Sequence, residues 1–339
     1  MLVRSVVVTK SCLLFPMSRK ALLGVIFVVL VAIGGVILVT LKTIRTEPER
    51  VVKIGYFNQH LGSVPLFLAQ DKGQFTKQGV KVELVPMASS NLATEALVRG
   101  DIDLGLISMI PVLNAETKDP GKIKLVSASV ISRDGSFDRV LVKADSGIES
   151  LSDPKIQKVA VFPGTTATNF LKDVMKRQGI DVSKIEFVQM PPSNQLPALQ
   201  SGTVQAAHML EPTVSLTLSQ GGYKAITQSI YGGVFDKSPI GGIGISAKFA
   251  ADHPALAKQV VLAIHESSAY ELVHPDEARA IITTKFNVAP EVAAKMDLLP
   301  FARFEDLAPN FLESFVDTLV NMGELQARPN VRVLIYKAS

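Results

Sequence analysis

The chain reads as an α/β protein: mostly parallel sheets flanked by helices, arranged in two lobes, with an N-terminal transmembrane helix ahead of them. Three observations predict this. Short apolar runs alternate with amphipathic stretches from Val51 onward, the pattern of strands separated by helices. Two segments repeat each other: Glu95–Ser108 (EALVRGDIDLGLIS) and Pro197–Leu210 (PALQSGTVQAAHML) align without a gap at Ala96/Ala198, Leu97/Leu199 and Gly100/Gly202. Any βαβ unit shares some of that likeness, and the sharper reading is two lobes of one design. Third, residues 21–41 (ALLGVIFVVLVAIGGVILVTL) carry no charge, and about 20 such residues span a bilayer core.

The elements follow in order. Residues 1–20 form a short cytoplasmic tail or a misassigned start, since Met17-Ser18-Arg19-Lys20 would itself begin such an anchor. The run 21–41 is read as an uncleaved anchor rather than a cleaved signal, because no small-x-small site follows it. Arg4, Lys10, Arg19 and Lys20 outnumber Lys42 and Arg45, which favours a cytoplasmic N-terminus and an extracytoplasmic body. Residues 42–50 are a linker. Val51–Tyr56 is a strand, Pro65 opens a helix, and Val80–Val85 alternates with period 2 as a strand does. Ser89-Ser90-Asn91 offer N-caps for a helix from Leu92 to Arg99 that Gly100 stops. Strands follow at Ile102–Ile107, Lys124–Val130 and Arg139–Val142. A second set has strands at Lys158–Phe162, Ile185–Gln189 and Ala206–Met209. Its helices are Thr166–Arg177, striped by Phe170, Leu171, Val174 and Met175, and Leu196–Gln200. Beyond the Gly241-Gly242-Ile243-Gly244 stretch, read as a hinge or a close-packed strand, the chain is helical. Pro254 and Pro275 each sit at a helix's first position, and Pro309–Met322 is a further helix. The final VRVLIYK is either a strand or a packed tail.

Composition narrows the function. A net charge of +4 is spread thinly and there is no Trp, so nucleic-acid binding is not indicated. The single Cys12 excludes an intrachain disulfide and a Cys-rich metal site. The five His form no paired ligand spacing, and no GxSxG elbow is present. The expectation is a binding protein that is no enzyme, with no cofactor and no metal.

The stretch VFPGTTATNF (161–170) carries the main candidate site. A strand, a tight turn and a helix start follow one another, as in phosphate-binding loops, yet no Lys follows the glycine. Unpaired amides at a helix N-terminus bind anions. Gly164 lets a ligand come close, and Thr165, Thr166 and Thr168 add hydroxyls beside Ala167. Without Lys or a metal-binding carboxylate, the pattern suits a small, singly charged anion. The plain alternative is a Thr cap after a Pro-Gly turn. Ligands in open α/β sheets sit beyond the carboxyl ends of strands. Further candidates there are Asn58, Gln59, His60 and Ser63; Ser89, Ser90 and Asn91; Ser108 and Met109; and Glu211.

Residues 53–108 resemble the opening of the solute-binding proteins of ATP-driven importers for nitrate, sulfonates, taurine and thiamine precursors. The resemblance rests on Gly55-Tyr56, Pro65, Ala69-Lys72-Gly73-Phe75-Gly79, Ser89-Ser90 and Gly100-Asp103, and continues through the Gly164 loop, Gly202 and Glu211-Pro212 to about residue 275. It implies a two-lobed periplasmic-binding-protein fold of the type with two crossovers. Residues 51–143 and 242–339 would form one lobe and 144–241 the other. It also implies a monomer that clamps a small anion or zwitterion and delivers it to a membrane permease. Gln205 and Leu210 stand where many relatives have an acidic and an aromatic residue, so neither an aromatic wall nor the ligand class is implied. Sulfonate, nitrate, a bicarbonate-like anion and an uncharged pyrimidine stay open. Glu211 suggests an amine at the ligand's far end, as in taurine. The alternatives are binding or synthesis of a thiamine pyrimidine, with His60 or His208 as the reactive group, and an anchored ligand sensor.

Overall fold

The structure is a computed structural model of the chain. It describes residues 50–337 except 133, 134, 136, 235, 236, 300, 308 and 309. The expected tail, anchor and all but the last residue of the linker lie outside the described residues. Among those described, no helix is long and apolar enough to cross a membrane.

The chain opens with β1 (Val51–Phe57) and α1 (Val64–Asp71), the latter with Pro65 in its first turn. A single turn, α2 (Gln74–Lys77), leads to β2 (Lys81–Met87). Next comes α3 (Ser90–Arg99), which Ser89 caps by accepting the Leu92 N–H at 3.3 Å. It ends at Gly100 with φ 78°, a left-handed value that glycine adopts without penalty. After it run β3 (Leu104–Ser108), α4 (Met109–Lys118) and β4 (Ile123–Ser132).

The chain then crosses to a second sheet. This holds β5 (Asp138–Lys143), β6 (Lys158–Val161), α5 (Thr165–Arg177), β7 (Glu186–Gln189), α6 (Pro192–Ser201), β8 (Ala206–Leu210), α7 (Thr213–Ser219) and β9 (Tyr223–Ala225). From α8 (Ile230–Val234) it returns through β10 (Lys237–Ser246) to the first sheet. There follow α9 (Ala247–Asp252), α10 (Pro254–Val273), α11 (Pro275–Phe286), α12 (Pro290–Ala293), β11 (Phe301–Arg303) and α13 (Phe311–Asn321).

Both sheets have one plan. The first runs β2-β1-β3-β10-β4-β11 and the second β7-β6-β8-β5-β9. In each, the first three strands are parallel and the fourth runs antiparallel to its neighbours. That fourth strand, β10 or β5, is the one the crossing chain supplies. The internal repeat therefore marks equivalent places: α3–β3 in one lobe and α6–β8 in the other.

The strands run mostly one way, as expected: four of the six in the first sheet and four of the five in the second share a direction, and each crossover strand enters against it. Two expectations need correction. The strand at 138–143 belongs to the second sheet, so the first crossing precedes Asp138 instead of following Lys143. The second crossing precedes Gly242, since β10 is already paired with β4 from Lys237. The closing VRVLIYK is a packed tail: Val331–Val333 forms a 3-10 turn and only Ile335 bridges to Leu125.

The glycines of β10 are required by space. A Cβ on Gly242 would lie 1.8 Å from the Ser127 carbonyl oxygen, and one on Gly241 2.5 Å from that of Ile107. The stretch is the close-packed strand of the two readings. In the second lobe the predicted stripe of α5 is buried at Phe170, Leu171 and Met175.

Candidate functional site

The carboxyl ends of β1, β3, β6 and β8 turn toward a small, partly open cavity between the lobes. The first lobe contributes Phe57, His60, Ser90, Ser108, Leu299 and Phe301. The second contributes Phe162, Gly164, Thr166, Ala167, Leu210 and Tyr231. Its volume is about 30 Å³, room for roughly one water-sized group. Anything larger needs the lobes to part.

The head of α5 forms one wall. Because the helix begins at Thr165, its first amides have no carbonyl within it to receive them. Two amides at this turn are met by side chains. The Gly164 N–H donates to Gln189 Oε1 at 2.9 Å, and the Thr165 N–H to Asn91 Oδ1 of the first lobe at 3.4 Å. Thr166 and Ala167, next along the helix, line the cavity. The Thr166 hydroxyl is buried with no partner among the described residues, and so is that of Thr168. Gly164 has φ 119°, and a Cβ there would lie 2.5 Å from Ser90 Oγ. Only glycine lets the two lobes come this close.

His60 stands opposite. Its Nδ1 accepts the Gly62 N–H at 3.0 Å, which caps the turn Leu61–Ser63 and leaves the ring proton on Nε2. Its ring packs edgewise on Phe57 and Phe137, 5.6 Å from each, and tilts against Phe162 at 5.8 Å. Burial lowers its pKa to about 4, so the imidazole is a neutral donor at pH 7. Among the described residues, the lining holds no Lys, Arg or carboxylate. Whatever binds here is held by neutral donors and apolar walls.

Of the residues the sequence singles out, six come together on the cavity: His60, Ser90, Ser108, Gly164, Thr166 and Ala167. The others lie outside its lining. Asn58 is exposed and Gln59 sits in a turn with φ 48°. Ser63 Oγ donates to the Phe57 carbonyl at 2.7 Å. Ser89 is a helix cap, and Met109 is fully buried in the core. Asn91 and Thr165 meet each other at the rim. The Glu211 carboxylate is buried beside α7, accepting from Ser215 Oγ at 2.7 Å and Ser215 N–H at 3.1 Å. Burial raises its pKa to about 7, against the lowering effect of those bonds. His208 is also off the cavity, fully buried with Nε2 2.9 Å from Asp138 Oδ2.

The sequence reading missed the aromatic wall. Phe57, Phe162, Tyr231 and Phe301 supply it from four separate segments. A signal existed only for Phe57 and Phe162, which border the motifs Gly55-Tyr56 and Pro163-Gly164. No aromatic stands just before Glu211, as the sequence already shows, and Leu210 lines the cavity there.

The family described as "NMT1/THI5 like" matches residues 60–278, which span β3, the α5 loop and both crossings. The chain belongs to the NMT1/THI5-like family. A curated relative from Escherichia coli (strain K12), named for binding aliphatic sulfonates, is 25% identical over 279 residues, covering 80% of this chain and 84% of the relative. The fold is that of the periplasmic aliphatic sulphonate binding protein SsuA from Escherichia coli: TM-score 0.68 at 21% identity, over 86% of this chain and 94% of that one. The periplasmic nitrate-binding protein NrtA from Synechocystis PCC 6803 shares it with TM-score 0.64 at 17% identity, over 84% and 83% of the two chains. A Saccharomyces cerevisiae 4-amino-5-hydroxymethyl-2-methylpyrimidine phosphate synthase matches over a shorter span, 35% identical across 103 residues, 29% of each chain.

Proposed function

We propose that this protein is the substrate-binding component of an ATP-driven importer, working outside the cytoplasm as a monomer tethered by residues 21–41. It captures a small organic anion between its lobes and presents the closed form to a membrane permease. The observation that carries this reading is the partnerless, buried hydroxyl of Thr166 at the head of α5, inside the inter-lobe cavity. Relatives named for sulfonate and nitrate binding support it.

In this reading the anion's oxygens take the Thr166 and Ala167 amides, the Thr166 hydroxyl and the His60 Nε2–H. Each hydrogen bond to a charged group is worth about 1.5–3 kcal/mol, and the partial charge of the helix terminus adds to them. The apolar body of the ligand then lies against Phe57, Phe162, Tyr231 and Leu210. Glu211 is occupied by Ser215 and lies outside the cavity lining, which removes the reason to expect an amine. A plain alkanesulfonate fits better than taurine.

A second reading has its own support. Four aromatic rings, a neutral imidazole donor and no cation among the lining residues also suit an uncharged pyrimidine, in keeping with the partial match to the yeast enzyme. Thermal unfolding with ethanesulfonate, taurine, nitrate and a 4-aminopyrimidine separates the two. A ligand at 100 times its dissociation constant adds about 2.7 kcal/mol of stability. Ethanesulfonate is expected to shift the melting point, and taurine less. A response to the pyrimidine alone would move the assignment to the second reading.

A further inference from the structure

Beside the cavity the chain buries a carboxylate that the ligand site does not use. Asp138 opens β5, just after the first crossing, and is fully buried. Four donors meet it. Its Oδ1 accepts the Ser229 hydroxyl. Its Oδ2 accepts the His208 Nε2–H at 2.9 Å, the Ile230 N–H at 2.7 Å and the Tyr231 N–H at 3.3 Å. The Ser229 oxygen in turn accepts the Gly232 N–H at 2.9 Å. Those three amides open α8, where no carbonyl of the helix itself can receive them. A helix of five residues has too few internal bonds to hold itself, so the carboxylate fixes where α8 begins. What α8 carries is Tyr231, part of the aromatic wall of the cavity. Three rings box its own: Phe170 and His208 edge-on at 5.6 and 5.4 Å, and Phe137 stacked at 6.3 Å. Of these, His208 is bonded to the carboxylate and Phe137 precedes it in the chain. One side chain therefore acts on Tyr231 twice, through the amides of α8 and through the rings packed on the phenol.

We infer that Asp138 is a positioning residue of the ligand site: through His208 and the opening amides of α8, its carboxylate sets where the Tyr231 ring stands in the cavity wall, and with it how firmly the cavity grips the apolar body of a ligand. A helix start needs only a neutral oxygen as its cap, and Ser229 already supplies one to Gly232. Burying a carboxylate is costly unless donors surround it, so the charge calls for a further reason. That reason is its reach. Asp138 ties α8 to His208 in β8, the strand that ends at Leu210 in the same wall, and Asp138 is itself the register partner of Leu210. The part played by Tyr231 toward a ligand rests on the anion-binding reading; its placement by Asp138 does not.

The test compares Asp138→Asn with the parent in the full-length chain. Asparagine keeps the shape and one acceptor but turns an NH2 group toward donors, so α8 and His208 can no longer both be held. The five Tyr are replaced biosynthetically by 3-fluorotyrosine, and Tyr231→Phe assigns the Tyr231 fluorine resonance. Without ligand, the parent is expected to show one sharp Tyr231 line and Asp138→Asn a broadened or split one, the other Tyr lines staying in place. With ligand, butanesulfonate affinity is expected to fall several-fold while that of methanesulfonate, which has almost no body to meet the wall, is unchanged. A role in stability alone would lower the melting point and leave both the line and the ratio of the two affinities as in the parent; that result overturns the inference. If Asp138→Asn does not fold, Ser229→Ala, which removes a single donor, is read in the same two ways, with the same outcomes for and against. If the parent binds neither sulfonate, the functional reading falls, and the fluorine line alone decides whether Asp138 positions Tyr231.

Discussion

The substitution Gly164→Ala tests how the two lobes meet at the head of α5. Two separate costs are expected. The backbone at Gly164 sits at φ 119° with ψ 170°, a region essentially reserved for glycine, where another residue costs of order 1–3 kcal/mol. The added methyl would also lie 2.5 Å from Ser90 Oγ across the cleft, closer than packed atoms tolerate, so the lobes must separate or Ser90 must turn. The first cost destabilises the fold, and the second destabilises only the closed form. Unfolding in denaturant should therefore show a loss of about 2 kcal/mol, and ethanesulfonate affinity should fall further than that loss alone explains. Adding Ser90→Ala removes the oxygen and leaves Cβ, which would stand 3.8 Å from the new methyl, an ordinary contact. The double variant should recover closure and affinity in part while its stability stays low. Isothermal calorimetry and denaturant titration of the three proteins read both effects. If Gly164→Ala unfolds and binds like the parent, Gly164 and Ser90 do not approach each other closely across the cleft.

Other expectations follow from the same contacts. Gly242→Ala places a methyl 1.8 Å from the Ser127 carbonyl oxygen in the middle of the first sheet; the backbone has no room to yield, and soluble expression with a cooperative melting transition should be lost. Folded protein with a normal melting curve would contradict the packing of β10. Glu211 has its folded pKa raised from 4.5 to about 7 by burial. The stability linked to it is therefore fully present below about pH 4.5 and lost as pH rises through 7. Glu211→Gln should gain up to about 3 kcal/mol at pH 8, and much less at pH 5, since one pKa unit corresponds to about 1.36 kcal/mol. Denaturant unfolding at the two pH values checks this, and an equal gain at both would refute the assignment. The same variant should leave ethanesulfonate affinity unchanged at either pH.

Much of the architecture is legible from local chemistry. Proline at helix starts, Gly100 and Gly202 at helix ends and the stripe of α5 are decided within a few residues, so the sequence shows them. Strand direction is not of that kind. Whether β5 and β10 run with or against their neighbours depends on which lobe the chain is leaving, and a run such as IGGIGIS looks the same either way. Short helices such as α4, α7 and α8 lack a clear apolar stripe and are held by tertiary packing. The site divides along the same line. The Gly164 loop is visible because its turn and helix start are adjacent in sequence. The aromatic wall is not, because Tyr231 and Phe301 reach the cavity from segments that carry no motif. Glu211 shows the opposite error: its place in the resemblance suggests a ligand contact, whereas its nearest donors lie four residues on at Ser215.

The most direct test of the central claim is the affinity of Thr166→Val for ethanesulfonate. The two side chains are alike in shape, and the hydroxyl removed is buried without a partner among the described residues, so folding stability should hold or rise slightly. Calorimetry should show binding weakened about tenfold or more, the loss of one hydrogen bond to a charged group. Unchanged affinity in a stably folded variant would mean that the anion, if one binds, does not sit at the head of α5.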